Sequence, residues 1–130
     1  MVTSDESLGG QLNREVAPSG TGCVECTIDG SWWVHLRRCA ACGHVGCCDD
    51  SMNRHARSHA SHTGHRFIQS FEPGEDWIWD FATRSIVSNG PALAPPTAHP
   101  SSQPAPGPEG SVPPNWMDQL NDRNQREAQQ

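Results

Sequence analysis

The sequence has no lysine and no tyrosine, and it is poor in apolar residues. Apolar residues make up 34% of the 130 residues, whereas a globular chain usually has about 45–50%. Arginine is therefore the only strongly basic residue type, and the formal net charge is −6. Non-specific binding to nucleic acid normally depends on a basic face. We therefore expect no nucleic-acid partner.

The sequence also lacks the apolar segments that secreted and membrane proteins carry. No run approaches the roughly 18 apolar residues of a membrane span. Residues 1–22 have neither the basic nor the apolar region of a signal peptide. These absences predict a cytoplasmic protein that has no membrane partner. In that reducing compartment, clustered cysteines are more often metal ligands than disulfide partners.

Few residues outside the segment 23–87 are suited to a core. Residues 88–114 hold nine of the eleven prolines, and residues 1–22 are polar and rich in glycine. Because such segments cannot offset the entropy cost of ordering, we predict a disordered tail over 1–22 and a disordered linker over 88–114. Residues 115–130 are predicted to be a polar tail in which Trp116, Met117 and Leu120 have the spacing of a short helix.

The remaining segment, about 65 residues long, contains every cysteine and a cluster of histidines. A domain this small often needs a crosslink or a metal ion. Two C-x2-C pairs separated by twelve residues are typical of zinc sites. A disulfide framework would leave the histidines and the adjacent Cys47 and Cys48 unexplained. The cysteines and histidines are numerous enough for two closed four-coordinate sites, and spacing alone also allows a single zinc ion.

A helix is predicted around His55 and His59, because the residues of MNRHARSHA are compatible with one. Their spacing of four would place both imidazoles on one face, where they could bind the same metal ion. A metalloprotease helix of the type H-E-x-x-H would need glutamate at the position of Ala56. The sequence also offers no nucleophile–base pair and no phosphate-binding glycine loop. We therefore predict a protein that is not an enzyme.

The order of these motifs resembles the ubiquitin-protease-type zinc finger (ZnF-UBP), and above all the small stand-alone bacterial proteins of this type. The resemblance rests on CVEC, WVHLRRCAACGHVGCCDD, HARSHASHTGHRF and EPGEDWIWDF, within residues 23–87. It implies two cross-braced zinc sites, so that His55 and His59 bind different ions. The first site would contain Cys23, Cys26, Cys47 and His55, and the second would contain Cys39, Cys42, His59 and His65.

The expected fold is therefore a small α+β domain that two Zn²⁺ ions stabilise. Its core would be a short antiparallel sheet with one or two helices, and its flanks would be disordered. Strands are predicted in SWWVHLRR, HRFIQSF and the segment from DWIWDF to TRSIV. Because structural zinc sites in small domains contribute on the order of 10 kcal/mol of folding free energy, we expect the metal-free domain to be largely unfolded.

The resemblance also implies a peptide-binding pocket. In eukaryotic members of the family, a pocket made of an arginine and aromatic residues binds the free C-terminal Gly-Gly tail of ubiquitin. Trp79 and Phe81 match the aromatic positions, but Asp49 stands where the arginine is expected. The function we predict is a non-catalytic adaptor that binds the C-terminal tail of a protein or peptide. A nearby arginine would neutralise the carboxylate, and the candidates are Arg37, Arg38 and Arg66.

Cys48 leaves a second function open. It lies beside the predicted ligand Cys47 and is left over when both zinc sites are filled. The alternative to an adaptor is therefore a redox or metal sensor, in which Cys48 and the zinc-bound thiolates respond to an oxidant.

Overall fold

The computed structural model describes residues 11–129. This part of the chain forms a five-stranded antiparallel sheet and three helices, as expected for the predicted α+β class. The elements are α1 (Val24–Asp29), β1 (Leu36–Cys39), β2 (Val45–Cys47), α2 (His55–Thr63), β3 (Phe67–Ser70), β4 (Ile78–Asp80), β5 (Ser85–Ile86) and α3 (Trp116–Ala128). None of the helices in this part is both long and apolar enough to cross a bilayer.

The strand order β2-β1-β3-β4-β5 places the aromatic segment WIWDF next to the middle of the sheet. Ile68 of β3 lies opposite Trp79 of β4, which in turn lies opposite Ile86 of β5. Since side chains alternate across a strand, these three residues lie on one face of the sheet. Ile78 and Asp80 point to the other face, where both are buried.

The core consists of three small clusters rather than one large interior. The first contains three predicted zinc ligands, Cys23, Cys26 and Cys47, packed with Trp33, Leu36, Val45 and Phe71. The second joins Ile78, Phe67 and Ala40 to Leu12 and Leu93 from the two flanks. The third lies beneath α3 and contains Trp32, Val34 and Cys48. The cysteines of the metal sites are thus a substantial part of the interior.

The flanks, which the sequence predicts to be disordered, contact the zinc-binding domain. Residues 88–114 contain no helix or strand, yet Leu93 is only 4% exposed and packs in the same cluster as Leu12. Trp33 exchanges two backbone hydrogen bonds with Gly107, of 2.7 and 2.9 Å. The first ten residues of the predicted tail lie outside the described part of the chain.

Arg38 shows why the flanks pack against the sheet. Its side chain is fully buried, and its guanidinium donates hydrogen bonds to the carbonyls of Val16, Ala94 and Pro96. A buried guanidinium needs acceptors, and proline-rich segments offer carbonyls that no helix or strand uses. Residues 11–22 and 88–99 therefore cover one face of the sheet and supply acceptors for both terminal nitrogens of Arg38, whose buried Nε has no partner among the described residues.

Candidate metal centre

The first Cys/His cluster brings together Cys23, Cys26, Cys47 and His55. Cys23 caps the start of α1, Cys26 lies within that helix, Cys47 ends β2 and His55 begins α2. The Nδ1 atom of His55 lies 3.2, 3.4 and 3.5 Å from the sulfurs of Cys23, Cys26 and Cys47, respectively. The sulfurs of Cys26 and Cys47 are 4.0 Å apart. Four ligand atoms therefore surround one point between α1, β2 and α2.

These distances fit a tetrahedral zinc ion. Bonds of about 2.3 Å to sulfur and about 2.0 Å to nitrogen would separate two sulfurs by about 3.8 Å and a sulfur from a nitrogen by about 3.5 Å. Three thiols and one imidazole form a donor set that zinc prefers, and they fill all four positions. The cluster therefore fits a closed structural site.

Backbone amides support the sulfurs of this cluster. The amide of His55 donates to the Cys47 sulfur over 3.2 Å, and the amide of Cys26 donates to the Cys23 sulfur over 3.5 Å. Hydrogen bonds of this kind stabilise thiolates and orient metal ligands. The local turns thus present the sulfurs in the form that zinc binds.

The second cluster contains Cys39, Cys42, His59 and His65. The Cys39 sulfur lies 3.5 Å from Nδ1 of His65, and the Cys42 sulfur lies 3.3 Å from Nε2 of His59. All four ligand atoms lie within 4.8 Å of one another. Gly43, which follows Cys42, has a φ of 84° that side-chain-bearing residues rarely adopt. Two sulfurs and two imidazoles in this arrangement fit a second closed zinc site.

The environment of the second cluster affects the protonation of its ligands. Burial, together with the neighbouring His44 and His65, lowers the pKa of His59 to about 4. His59 is therefore neutral at pH 7, which is the form that binds a metal ion. Burial also raises the pKa of Cys39 to about 11, so the positive charge of a metal ion is needed to keep this ligand as a thiolate.

His44 connects the two clusters. Its ring stacks on His59 with the ring centroids 4.1 Å apart, and its Nε2 atom lies 2.9 Å from both carboxylate oxygens of Glu25. Glu25 belongs to α1, the helix that carries Cys26 of the first cluster. The His44–Glu25 pair therefore fixes the orientation of a ligand in one cluster against the helix that builds the other.

Helix α2 contributes one imidazole to each cluster, His55 to the first and His59 to the second. The structure thus forms the predicted helix but does not bring both imidazoles to one ion, as their spacing alone allowed. The cross-braced arrangement is the one that the family resemblance implies. The remaining histidine of this helix, His62, bonds the carbonyl of Ser58 and belongs to neither cluster.

A cavity of about 210 Å³ lies on the open face of the sheet. Its lining residues include the three predicted pocket residues Asp49, Trp79 and Phe81, together with Arg37, Cys48, Asp50, Ala56, Ile68, Trp77 and Ile86. The alternation of WIWDF explains the wall, because Trp77, Trp79 and Phe81 are two residues apart and lie on the same side of the chain. A period of two in this segment is therefore the signal that identifies the three aromatic residues of the wall.

The structure distinguishes among the three candidate arginines for this cavity. Arg37 lines the cavity, with its guanidinium 4.6 Å from the centre of the Trp77 ring. Arg38 is buried on the opposite face. Arg66 pairs with Asp80 at 2.5 Å, away from the lining. Within residues 11–129, Arg37 forms no ion pair.

Asp49 does not present an isolated negative charge to the cavity. The guanidinium of Arg57 lies 2.5 Å from Oδ2 and 3.1 Å from Oδ1 of this carboxylate. Such a two-point contact offsets part of the negative charge of Asp49, the residue that stands where the arginine is expected. The negative charge that Asp49 contributes to the cavity is therefore reduced.

Comparison with known proteins agrees with the geometry. A family model described as the Zn-finger in ubiquitin-hydrolases and other proteins (zf-UBP) matches residues 23–91. The solution NMR structure of protein RPA1320 from Rhodopseudomonas palustris is 40% identical, covers 82% of this chain and 97% of its own, and superposes with a TM-score of 0.57. Comparison with curated proteins gives no match. The chain belongs to the zf-UBP family of zinc fingers, and its two Cys/His clusters fit two zinc ions.

Proposed function

We propose that this zinc finger is a non-catalytic adaptor that binds the C-terminal tail of a protein or peptide in the aromatic cavity. The observation that supports this function best is the position of Arg37 beside Trp77, Trp79 and Phe81 in one open cavity. An arginine without an ion-pair partner attracts a carboxylate, and aromatic walls provide contact area for a peptide chain.

The binding mode differs from the family pattern in the origin of its positive charge. Arg37 comes from β1, whereas the family arginine corresponds to position 49 of this chain. The terminal carboxylate would pair with Arg37, and Trp79 and Phe81 would contact the last residues of the tail. Small residues at the end of the tail suit a cavity of about 210 Å³.

Zinc has a structural role in this proposal. When bound, each ion crosslinks distant parts of the chain and so supplies folding free energy to a domain with a small core. The proposed ligands are the eight residues of the two clusters. Cys47 precedes the cavity residues Cys48 and Asp49, and His55 precedes Ala56. The first site therefore fixes both ends of one cavity wall.

Titration of the full chain with short peptides, followed by tryptophan fluorescence, tests the proposal. Peptides ending in Gly-Gly would be compared with their C-terminal amides. We expect the free acid to bind about 10-fold or more tightly, because a charge-assisted hydrogen bond contributes about 1.5–3 kcal/mol. Arg37→Gln is expected to abolish that difference. Arg14→Gln is the control, because Arg14 is exposed and does not line the cavity. Equal binding of acid and amide to the wild-type protein would exclude carboxylate recognition.

The sensor alternative has a different readout. Of the six cysteines only Cys42 is exposed, and Cys48 is 4% exposed with its sulfur 3.4 Å from Oγ of Ser51. Burial slows attack by an oxidant, so the structure favours the adaptor. Release of two zinc ions per chain under mild peroxide would favour the sensor. We also propose the cytoplasm as the site of action, because its reducing conditions preserve zinc thiolates.

A further inference from the structure

Helix α3 folds back onto the zinc-binding domain. The ring of Trp116 meets that of Trp32 edge to face, with the centroids 6.3 Å apart. Trp116 and Leu120 pack against the apolar cluster that contains Val34 and Cys48. An isolated 13-residue helix is marginal in water, so these contacts account for its formation.

Two charged residues of α3 bind the segment 48–54. Arg123 is 9% exposed, and its guanidinium donates to the carbonyls of Ser51 and Asp50. Glu127 accepts two hydrogen bonds from the guanidinium of Arg54, of 2.8 and 3.1 Å. Arg54 in turn donates to the carbonyl of Asp49 over 2.9 Å. Helix α3 is thereby connected to most of this segment.

The segment 48–54 lies between the cavity and the first metal cluster. Its first three residues, Cys48, Asp49 and Asp50, line the cavity, and its last residue, Arg54, precedes His55. Arg54 has a φ of 52°, a conformation that residues other than glycine rarely adopt. Such a backbone persists only where its surroundings hold it, and Arg54 is held by its bonds to Asp49 and Glu127.

We propose that α3 is a positioning element for the cavity, and that its docking and peptide binding are coupled through the segment 48–54. This inference rests on the function proposed above and adds a means of regulating the same site. Coupling is reciprocal, so a docked α3 raises the affinity for the peptide, and a bound peptide stabilises the docked helix. Arg123 is the central positioning residue, because it is the charged side chain of α3 that is buried.

The test compares two arginines of the same helix in the full chain. Arg123→Gln removes the buried contacts, whereas Arg126→Gln changes an exposed residue that forms no ion pair within the described part of the chain. We expect Arg123→Gln to weaken binding of the Gly-Gly free-acid peptide at least about 5-fold, with two zinc ions retained. We expect Arg126→Gln to match the wild type. Arg123→Lys keeps a donor and is expected to recover part of the affinity.

A second readout separates this inference from the proposed function. The indole N–H resonances of Trp77 and Trp79 report on the cavity without any ligand. We expect them to shift in Arg123→Gln and not in Arg126→Gln. If the wild-type protein binds no peptide, the proposed function fails. Unchanged indole resonances or equal peptide affinities in the two variants would overturn the coupling. Should Arg123→Gln lose zinc, Glu127→Gln replaces it, since that variant removes a partly exposed carboxylate that pairs with Arg54 over 2.8 Å and with Arg123 over 3.9 Å.

Discussion

Replacement of Gly46 by alanine is expected to weaken zinc binding, because Gly46 lies where β2 packs against α2. A Cβ atom at this position would lie 2.7 Å from the backbone nitrogen of Ala56 and 2.9 Å from its Cα. It would also lie 3.0 Å from Cε1 of His44. Because two of these atoms belong to the helix backbone, no side-chain rotation relieves the contact, and α2 must move away from β2.

The size of the effect follows from what α2 carries. Overpacking of a tight interior costs about 1–3 kcal/mol. Cys47 follows Gly46 in β2, His55 precedes Ala56 in α2, and both belong to the first cluster. Displacement of α2 therefore separates these two ligands. Since zinc binding and folding are linked in a domain of this kind, the cost appears as weaker zinc binding. At 1.4 kcal/mol per tenfold change, the expected loss is about 5- to 150-fold.

Competition with a chromophoric zinc chelator measures this loss directly. Gly20→Ala is the matched control, because a Cβ atom at Gly20 meets no atom of residues 11–129 within 4 Å. We expect the control to titrate like the wild type and Gly46→Ala to release zinc at a lower chelator concentration. If Gly46→Ala holds both ions as tightly as the wild type does, helix α2 does not transmit packing strain to the metal clusters.

Three further measurements test the fold. Chelation of zinc is expected to collapse the amide NMR dispersion of residues 23–87, and dispersion that survives in the metal-free protein would contradict a structural role for the ions. Leu93→Ala is expected to cost about 2–5 kcal/mol in denaturant unfolding, whereas the exposed Thr97→Ala changes little; equal stabilities would show that the flank is not packed. The hydrogen bonds from Arg66 hold the pKa of Asp80 at about 2, below the ordinary value of 3.8 for an aspartate. Ionised Asp80 therefore stabilises the fold above about pH 4, and this contribution to the free energy of unfolding is lost as the pH falls through about 2. Asp80→Asn is therefore expected to lower Tm by the same amount at every pH from 5 to 8, and a deficit that grows or shrinks across that range would contradict this assignment.

The metal clusters were the part of the structure most accessible to sequence analysis. Short cysteine spacings are local, and the C-x2-C turns, the glycine after Cys42 and the helix containing His55 all follow from neighbouring residues. The assignment of His55 and His59 to different clusters was not accessible from spacing. It depends on how β1 and β2 approach α2, and only the family resemblance carried that information.

The flanks illustrate what composition does not reveal. Proline-rich residues 88–114 have little to bury, which favours disorder. The structure shows that Leu93 contributes to an apolar cluster and that the carbonyls of Ala94 and Pro96 accept hydrogen bonds from Arg38. A few well-placed residues can thus anchor a segment of low average hydrophobicity. The hydrogen bond from Arg38 to Ala94 joins residues that are more than fifty positions apart in the sequence. No local sequence pattern predicts such a contact.

The position of His55 and His59 on one nine-residue helix has a consequence for metal loading. A helix this short does not persist alone in water, so whichever ion binds first must order the helix for its own ligand. When the second ion binds, its imidazole is already in place, so its binding does not include the free-energy cost of ordering the helix. Loading is therefore expected to be cooperative, and at half the saturating zinc concentration a native mass spectrum would show empty and doubly loaded chains with few that carry a single ion.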